Sequence, residues 1–502
     1  MKKLKILLIN SPSRQGRGAV FMPLGLIYVG GIIERCGHIA KIYDPYVEDR
    51  LLERFDDEWR DWVAREVSEF KPDIVGFGGV ATSYPRTKAM SDYIKSVFPG
   101  VLQIAGGALA STAELILENT AIEVVFHGET EVSLPIFLEA IATNADCHKV
   151  AGVSYRERGE IVRTADPPQV KNLDEIPLPA YHLIDVGVYV EDVNDWLPDM
   201  RRKQFLEPES GYIETVLAAA RNTKYLPILT SRGCFYACSF CYRHQKGLRR
   251  HSVQYVISHM KLLKERYGIG GFYFADEMFN SDPQWILEFC DAVEEEGLKV
   301  FYQIGGARID RISDKMLDRL KATGCIVLSY GQESGSDTIL KELRKGVTSW
   351  QNFEGTVKTM KKGIIAPVSL VVGSPSETNE TIRETIAFLK KAKVKSFCIN
   401  YLIALPKTPV WEYAKSHNLI PDEEAYLQAA SRLGGEPNLN LTKTDYIPWR
   451  NWGRIITLEM EYSHPKTSLL TKLFLRLSII YLYHFSVPKV AVSLYRKFRK
   501  RR

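Results

Sequence analysis

Short apolar runs that alternate with amphipathic stretches constrain this chain more than any other feature, and they occur in two series. The first places strands at 5–9, 39–43, 74–77, 102–105 and 124–126, with helices near 24–36, 58–70, 85–98, 112–118 and 133–142. Strand–helix alternation at this spacing predicts an open, mostly parallel α/β sheet. Turn residues follow several strands: Ser11, Gly78-Gly79, Gly106-Gly107 and Gly128-Glu129. These are the carboxyl ends of parallel strands, where such sheets bind ligands. Residues 150–163 read as a small hairpin turning at Arg158-Gly159, and Pro167, Pro168, Pro177 and Pro179 mark a linker without clean periodicity to about Lys224.

The second series places strands at 227–230, 271–274, 299–303, 326–330, 366–372 and 396–401, each followed by a helical stretch. Six βα units predict a barrel two units short of a full (β/α)8 barrel. Past Ile420 the pattern loosens into a mainly helical extension. The expected division is 1–148, 149–225, 226–418 and 419–502. No window of about 18 uninterrupted apolar residues exists, so no membrane span is expected.

Charge matters in one place only. The formal net charge is +6, yet residues 466–502 hold ten Lys/Arg and no Asp/Glu, so the remainder is −4. A mildly acidic body gives no reason to expect a nucleic-acid partner. The tail, with apolar residues over 468–485 and a basic terminus at 496–502, fits either an amphipathic helix on an anionic membrane or a helix packed on the barrel.

Of eight cysteines, Cys234, Cys238 and Cys241 fall within eight positions, directly after the first strand of the second series. The rest are scattered singly, and no cleavable leader precedes 4–10, so a reducing, cytoplasmic compartment is expected. Three thiolates on one loop can hold three corners of a [4Fe–4S] cluster and leave the fourth iron open. The rival is structural zinc with His244 as fourth ligand.

The spacing Cys-x3-Cys-x-aromatic-Cys at the end of the first barrel strand resembles the radical S-adenosylmethionine (SAM) superfamily. The resemblance extends to 272–279, to Gly331-Gln332-Glu333-Ser334-Gly335, to Gly373-Ser374-Pro375-Ser376-Glu377-Thr378 and in part to 405–409. It implies a [4Fe–4S] cluster on the three cysteines. It also implies SAM held by Phe240, Asp276, Glu277, Arg308, Glu333, Ser334 and Gly373. Read without it, Asp276 could cap the following helix and Glu333 could pair with Arg308.

Upstream, 23–26, 72–77, Gly106-Gly107-Ala108, 128–131 and 173–179 resemble the cobalamin-binding domain that precedes many radical SAM barrels. That resemblance implies cobalamin near Ser11, Gly78, Gly79, Gly106, Gly107, Gly128 and Glu129. The Asp-x-His-x-x-Gly ligand motif is absent; His38 is read as a loop residue. With only Cys36 and Cys147 upstream, a methylthiotransferase-type second cluster is not expected.

The resemblance therefore implies a cobalamin-dependent radical SAM enzyme that methylates an unactivated carbon through a 5′-deoxyadenosyl radical. Cyclisation or oxidation without methyl transfer, and a non-catalytic cobalamin or iron–sulfur sensor, are the alternatives. Expected partners are a small or lipid-like substrate, an electron donor such as flavodoxin or ferredoxin, and a peripheral position on the inner face of the membrane through 466–502.

Overall fold

The computed structural model describes residues 2–13, 22–45, 47, 58–192, 224–244, 247–394, 396–433, 438–464 and 467–485. The basic terminus beyond Phe485, with Lys489 and 496–502, lies outside the described residues, as does most of the aperiodic stretch before Lys224.

The first series folds as expected. Strands β1 (Lys5–Asn10), β2 (Ile39–Tyr43), β3 (Ile74–Gly78), β4 (Leu102–Gly106) and β5 (Val124–Phe126) are parallel, in the order β2-β1-β3-β4-β5. The hairpin β6 (Val153–Glu157) and β7 (Glu160–Arg163) continues this sheet antiparallel beyond β5. It thus covers an edge that would otherwise present unpaired backbone groups. Arg158 (φ 53°) and Gly159 (φ 89°) form the two-residue loop that the twist of paired strands favours. The sheet consequently runs past the boundary expected at residue 148.

The second sheet starts with the two-residue β8 (Glu191–Asp192), which pairs antiparallel with β9 (Lys224–Ile228). A separate ribbon follows, β10 (Ser231–Cys234) against β11 (Gly247–Arg250). Then come β12 (Ile269–Phe274), β13 (Phe301–Ala307), β14 (Cys325–Glu333), β15 (Val368–Val372) and β16 (Phe397–Tyr401). From β9 to β16 the six long strands are parallel and neighbours in sequence order, a partial barrel. The β10–β11 ribbon is the one element of this half that the residue pattern does not announce. Ser-Arg-Gly-Cys and Gly-Leu-Arg-Arg lack the β-branched alternation of a strand. The pairing depends on Gly233 (φ 83°), where a Cβ would lie 2.3 Å from the Gly247 carbonyl oxygen.

Helices flank both sheets. Those of the barrel begin at Ser252, Asp282, Ser313, Thr348, Thr378 and Thr408, each accepting a backbone N–H of the first turn. Beyond β16 the extension is helical: Glu423–Leu433, Tyr446–Tyr462 and Leu469–His484. Trp449 and Trp452 of the middle helix are buried with Val368, Leu370 and Val372 of β15. At roughly 1.5–3 kcal/mol for each large apolar side chain removed from water, this contact fastens the extension to the barrel. No described helix is long and apolar enough to cross a membrane.

Candidate functional site

The carboxyl ends of the two sheets face one cavity of 470 Å³. The N-terminal sheet contributes Gly78, Gly79, Gly106, Gly107, Gly128 and Glu129 to its wall; the barrel contributes Leu229, Ser231, Arg232, Ala275 and Glu277. Ser11, expected with the glycines, is not in the wall: its side chain is buried beside Gly79, and its N–H donates to the Gly78 carbonyl at 2.7 Å.

Glycine is required here by space. A Cβ at Gly78 would stand 2.6 Å from Leu26 Cδ2, and one at Gly79 would stand 2.8 Å from Ser83 Oγ. Between apolar side chains such as Leu24, Leu26, Ile104 and Leu134, the glycines expose backbone that a wide flat ligand can approach closely. The helix Leu24–Arg35 also starts on this wall, at Pro23-Leu24-Gly25, with no side-chain cap; its Leu24 and Leu26 N–H groups donate to the Met22 and Pro23 carbonyls.

Glu129 lines the cavity but is already engaged. Its oxygens accept from both Arg249 terminal nitrogens at 2.8 and 2.5 Å and from Val170 N at 3.2 Å, with Arg232 3.6 Å away. Arg232 also donates to Glu131 and lies over the Tyr28 ring, 5.2 Å from its centroid. Since Arg232 and Arg249 belong to β10 and β11, this buried cluster ties the loop after β5 to the ribbon that carries Cys234. Tyr28 and Arg232 line the cavity and were not anticipated; Glu131, of the 128–131 stretch, and His244, read as the rival zinc ligand, line it too. The signal that could have found Arg232 and Arg249 is charge in a segment packed between two apolar sheets.

The cysteine loop leaves the ribbon at Cys234 and is held by two backbone bonds, Ser239 N to Leu343 O and Val410 N to Ser239 O. Cys238 and Cys241 are hydrogen-bonded to each other. This bond lowers the Cys238 thiol and, with burial, pushes Cys241 up. Burial raises Cys234, against a bond from Tyr236 N–H. Among the described residues no three His, Cys, Asp or Glu side chains converge as ligands of a single ion. His244 instead turns to the N-terminal sheet, donating to the Gly128 carbonyl, with Nδ1 left without a partner. The Cys3His arrangement is therefore not formed, whereas three soft thiol donors fanned along one loop fit the corners of a cluster.

The remaining expected residues sit at successive strand ends. Asp276 does not cap a helix: Oδ1 accepts from Thr230 N and Oγ1 and from Ser231 Oγ, and Oδ2 is buried without a partner. Burial raises its carboxyl. Glu277 faces the cavity and accepts from the Gly233 N–H, and burial raises it too. Arg308 does not pair with Glu333. It forms a two-point pair with Asp310 at 2.9 and 3.1 Å, donates to Lys345 O, and lies over the Tyr236 ring with its guanidinium carbon 3.6 Å from the centroid. Tyr236 lies between Cys234 and Cys238, so Arg308 pins the cysteine loop.

Glu333 pairs with Lys345 at 2.9 Å and holds a left-handed backbone (φ 62°). A Cβ at Gly331 would fall 2.3 Å from its Oε1, which explains why glycine stands two residues before it. Ser334 is turned inward, its Oγ accepting from Ser336 N at 3.1 Å and sharing a bond with Thr385 Oγ1. At Gly373 (φ 99°) the N–H donates to the buried Glu377, whose carboxyl burial pushes up to about 8 although Ser374 N–H donates to it as well. Phe240 is half-buried, packed against the core cluster that includes Leu402 and Ala404.

With this geometry in place, known proteins can be compared. Residues 228–389 match the Radical SAM superfamily and residues 16–138 the B12 binding domain, together more than half of the chain. An uncharacterized methyltransferase of Pyrococcus horikoshii is 29% identical over 430 residues, covering 84% of this chain and 85% of that protein. The cytidylyl-2-hydroxyethylphosphonate methyltransferase of Streptomyces wedmorensis is 26% identical over 78% of each. The anaerobic magnesium-protoporphyrin IX monomethyl ester cyclase of Rubrivivax gelatinosus is 23% identical over 76% of this chain and 65% of its own. Among solved structures, the radical SAM methyltransferase TsrM of Kitasatospora setae with cobalamin and a [4Fe–4S] cluster bound has the same fold. Its TM-score is 0.65 at 18% identity, over 84% of this chain and 79% of that one.

Proposed function

Because the chain belongs to the radical SAM superfamily and carries a B12 binding domain in front of its barrel, we infer that it is a cobalamin-dependent radical SAM methyltransferase acting on an unactivated carbon. One observation carries this reading: a single cavity has a glycine-lined wall from the first sheet and a polar wall from the second half, which includes Ser231 and Arg232 of the strand that ends at Cys234.

When bound, the cluster supplies the electron that cleaves SAM, and cobalamin supplies the methyl carrier. Cys234, Cys238 and Cys241 would hold the cluster, and the Arg308–Tyr236 contact fixes the loop between the first two. Glu277 offers a carboxylate oxygen at the cavity to an ammonium group, a charge-assisted bond. Asp276 acts behind it by locking Thr230 and Ser231 at the end of β9. Phe240 offers an aromatic ring just before Cys241, and the Glu333–Lys345 pair fixes a carboxylate at the end of β14. The glycines of β3, β4 and the loop after β5 leave the room for cobalamin, while Glu129 positions the two sheets.

Radical SAM enzymes need an electron donor; one of flavodoxin or ferredoxin type suits this chain. A small or lipid-like substrate and a cytoplasmic, peripheral position on the inner face of the membrane through 466–502 complete the reading. Radical cyclisation is the second reading, favoured by the likeness to the magnesium-protoporphyrin ester cyclase. The test is anaerobic reconstitution with iron, sulfide and hydroxocobalamin, followed by reduction with SAM. The expected result is 5′-deoxyadenosine together with cobalamin that stays bound through gel filtration. The Cys234→Ala variant should lose the iron–sulfur absorption and all 5′-deoxyadenosine. Absence of 5′-deoxyadenosine from the reduced wild type would sink the enzyme reading, and failure to retain cobalamin would remove methyl transfer.

A further inference from the structure

We propose that the helix Leu469–His484 lies in the headgroup plane of an anionic lipid bilayer, embedded by its exposed apolar face and held by the basic chain that follows. Resting on the peripheral position inferred for the tail, this narrows it to one helix face and one lipid class. It is separate from the barrel's chemistry.

The helix is apolar on two opposite sides. At 3.6 residues per turn, Leu475, Ile479 and Leu482 share one side, and all three are buried. Ile479 and Leu482 pack in the cluster of Trp449, Trp452, Ile455 and Ile456, and Asn451 Nδ2 donates to the carbonyls of Leu482 and Phe485. The helix is therefore docked on the extension at a fixed orientation. The opposite side carries Leu470, Leu473, Phe474, Leu477, Ile480 and Tyr481, between 44% and 82% exposed. More than half of the exposed large apolar side chains among the described residues lie at or beyond Leu469. A contiguous apolar face of this kind marks a contact surface, whereas scattered single residues do not.

Charge selects the occupant. Lys472 and Arg476 fall between the buried and exposed sides, Arg476 reaching Glu459 at 3.4 Å. From Lys466 to Arg502 there are ten Lys/Arg and no acidic residue. A second copy docked on this face would bring two such segments together, with like charges opposed. An anionic lipid surface neutralises them and takes up the apolar face in the same contact. At 16 residues the helix is about 24 Å long, too short to span the hydrocarbon core and suited to lying in its surface.

The test floats the full-length protein with phosphatidylcholine vesicles, with and without phosphatidylglycerol. Binding is expected only with phosphatidylglycerol, released by high salt. The Leu473→Glu/Leu477→Glu variant, changed at two exposed positions, should lower the bound fraction about tenfold with unaltered circular dichroism and thermal midpoint. Removal of 487–502 should weaken binding and flatten its salt dependence. The proposal falls if the wild type does not float, if it binds uncharged vesicles equally, or if the double variant binds as the wild type does. It also falls if sedimentation shows a dimer that this variant dissociates, since the face would then be a self-interface. None of these outcomes bears on 5′-deoxyadenosine formation.

Discussion

The two sheets solve the same problem, holding a ligand at the carboxyl ends of parallel strands, in opposite ways. The N-terminal sheet removes side chains. Gly78, Gly79, Gly106, Gly107 and Gly128 line the cavity, and the helix beginning at Leu24 has no side-chain cap. The barrel adds side chains. Its strand ends carry Asp276, Glu277, Arg308 and Glu333, and six of its helices start on capping Ser, Thr or Asp residues. A bulky cofactor needs area, which glycine at the strand ends leaves accessible. Radical chemistry on a small molecule needs fixed charges and thiols, which require rigid, fully bonded surroundings. Where the two designs meet, four charged side chains, Glu129, Glu131, Arg232 and Arg249, close the joint.

The largest test of this contrast removes the joint. Glu129→Ala would take from Arg249 its two-point carboxylate partner and leave it the Val170 carbonyl, at a cost of about 1.5–3 kcal/mol. Denaturant unfolding should show that loss, and cobalamin retention should fall while the cysteine loop, held by the barrel, still binds iron. A stability unchanged within about 0.5 kcal/mol would mean the sheets do not depend on the cluster.

Next is the glycine wall. Gly106 has an extended backbone, and a Cβ there meets only Phe126 Cβ at 3.5 Å, so Gly106→Leu fills the cavity without straining the chain. It should weaken cobalamin binding about tenfold, or 1.4 kcal/mol, and leave cluster absorption intact. Equal loss of both signals would erase the division of labour between the sheets.

A separate test, of pH dependence, concerns the barrel turn. Glu377 has a folded-state pKa near 8, above its unfolded value of 4.5, so the folded protein binds the extra proton between these limits. Stability should therefore decline as pH rises from 4.5 to 8. Glu377→Gln, which keeps an acceptor for Gly373 and Ser374, should flatten that decline in thermal midpoints measured across the window. His251 and His127, both held near 4 by burial, act at the acid end, withdrawing stability as pH falls from 6.5 toward 4.

Both sheets were legible because their strands are apolar runs with glycine or polar residues at fixed ends; Glu58–Phe70 is a helix with the predicted bounds. The β10–β11 ribbon was not, since its pairing is enforced by Gly233 and the clamp around Arg232 rather than by strand-forming residues. The partners of the site residues were equally hidden. Arg308 lies closer in sequence to Asp310 than to Glu333, but which acid it meets depends on how β13 and β14 align. Lys345 reaches Glu333 only because the chain turns back after the helix Asp337–Glu342.

By itself the sequence determined two parallel sheets, the cysteine loop and the glycine-lined strand ends, because periodicity, spacing and backbone permissiveness are local properties. Tertiary structure alone decided that both sets of strand ends open on one cavity, that Glu129 is held by arginines of the opposite half, and that the last helix leaves one apolar face uncovered. Those outcomes depend on which surfaces meet across hundreds of residues, where desolvation and charge pairing, rather than local preference, select the arrangement.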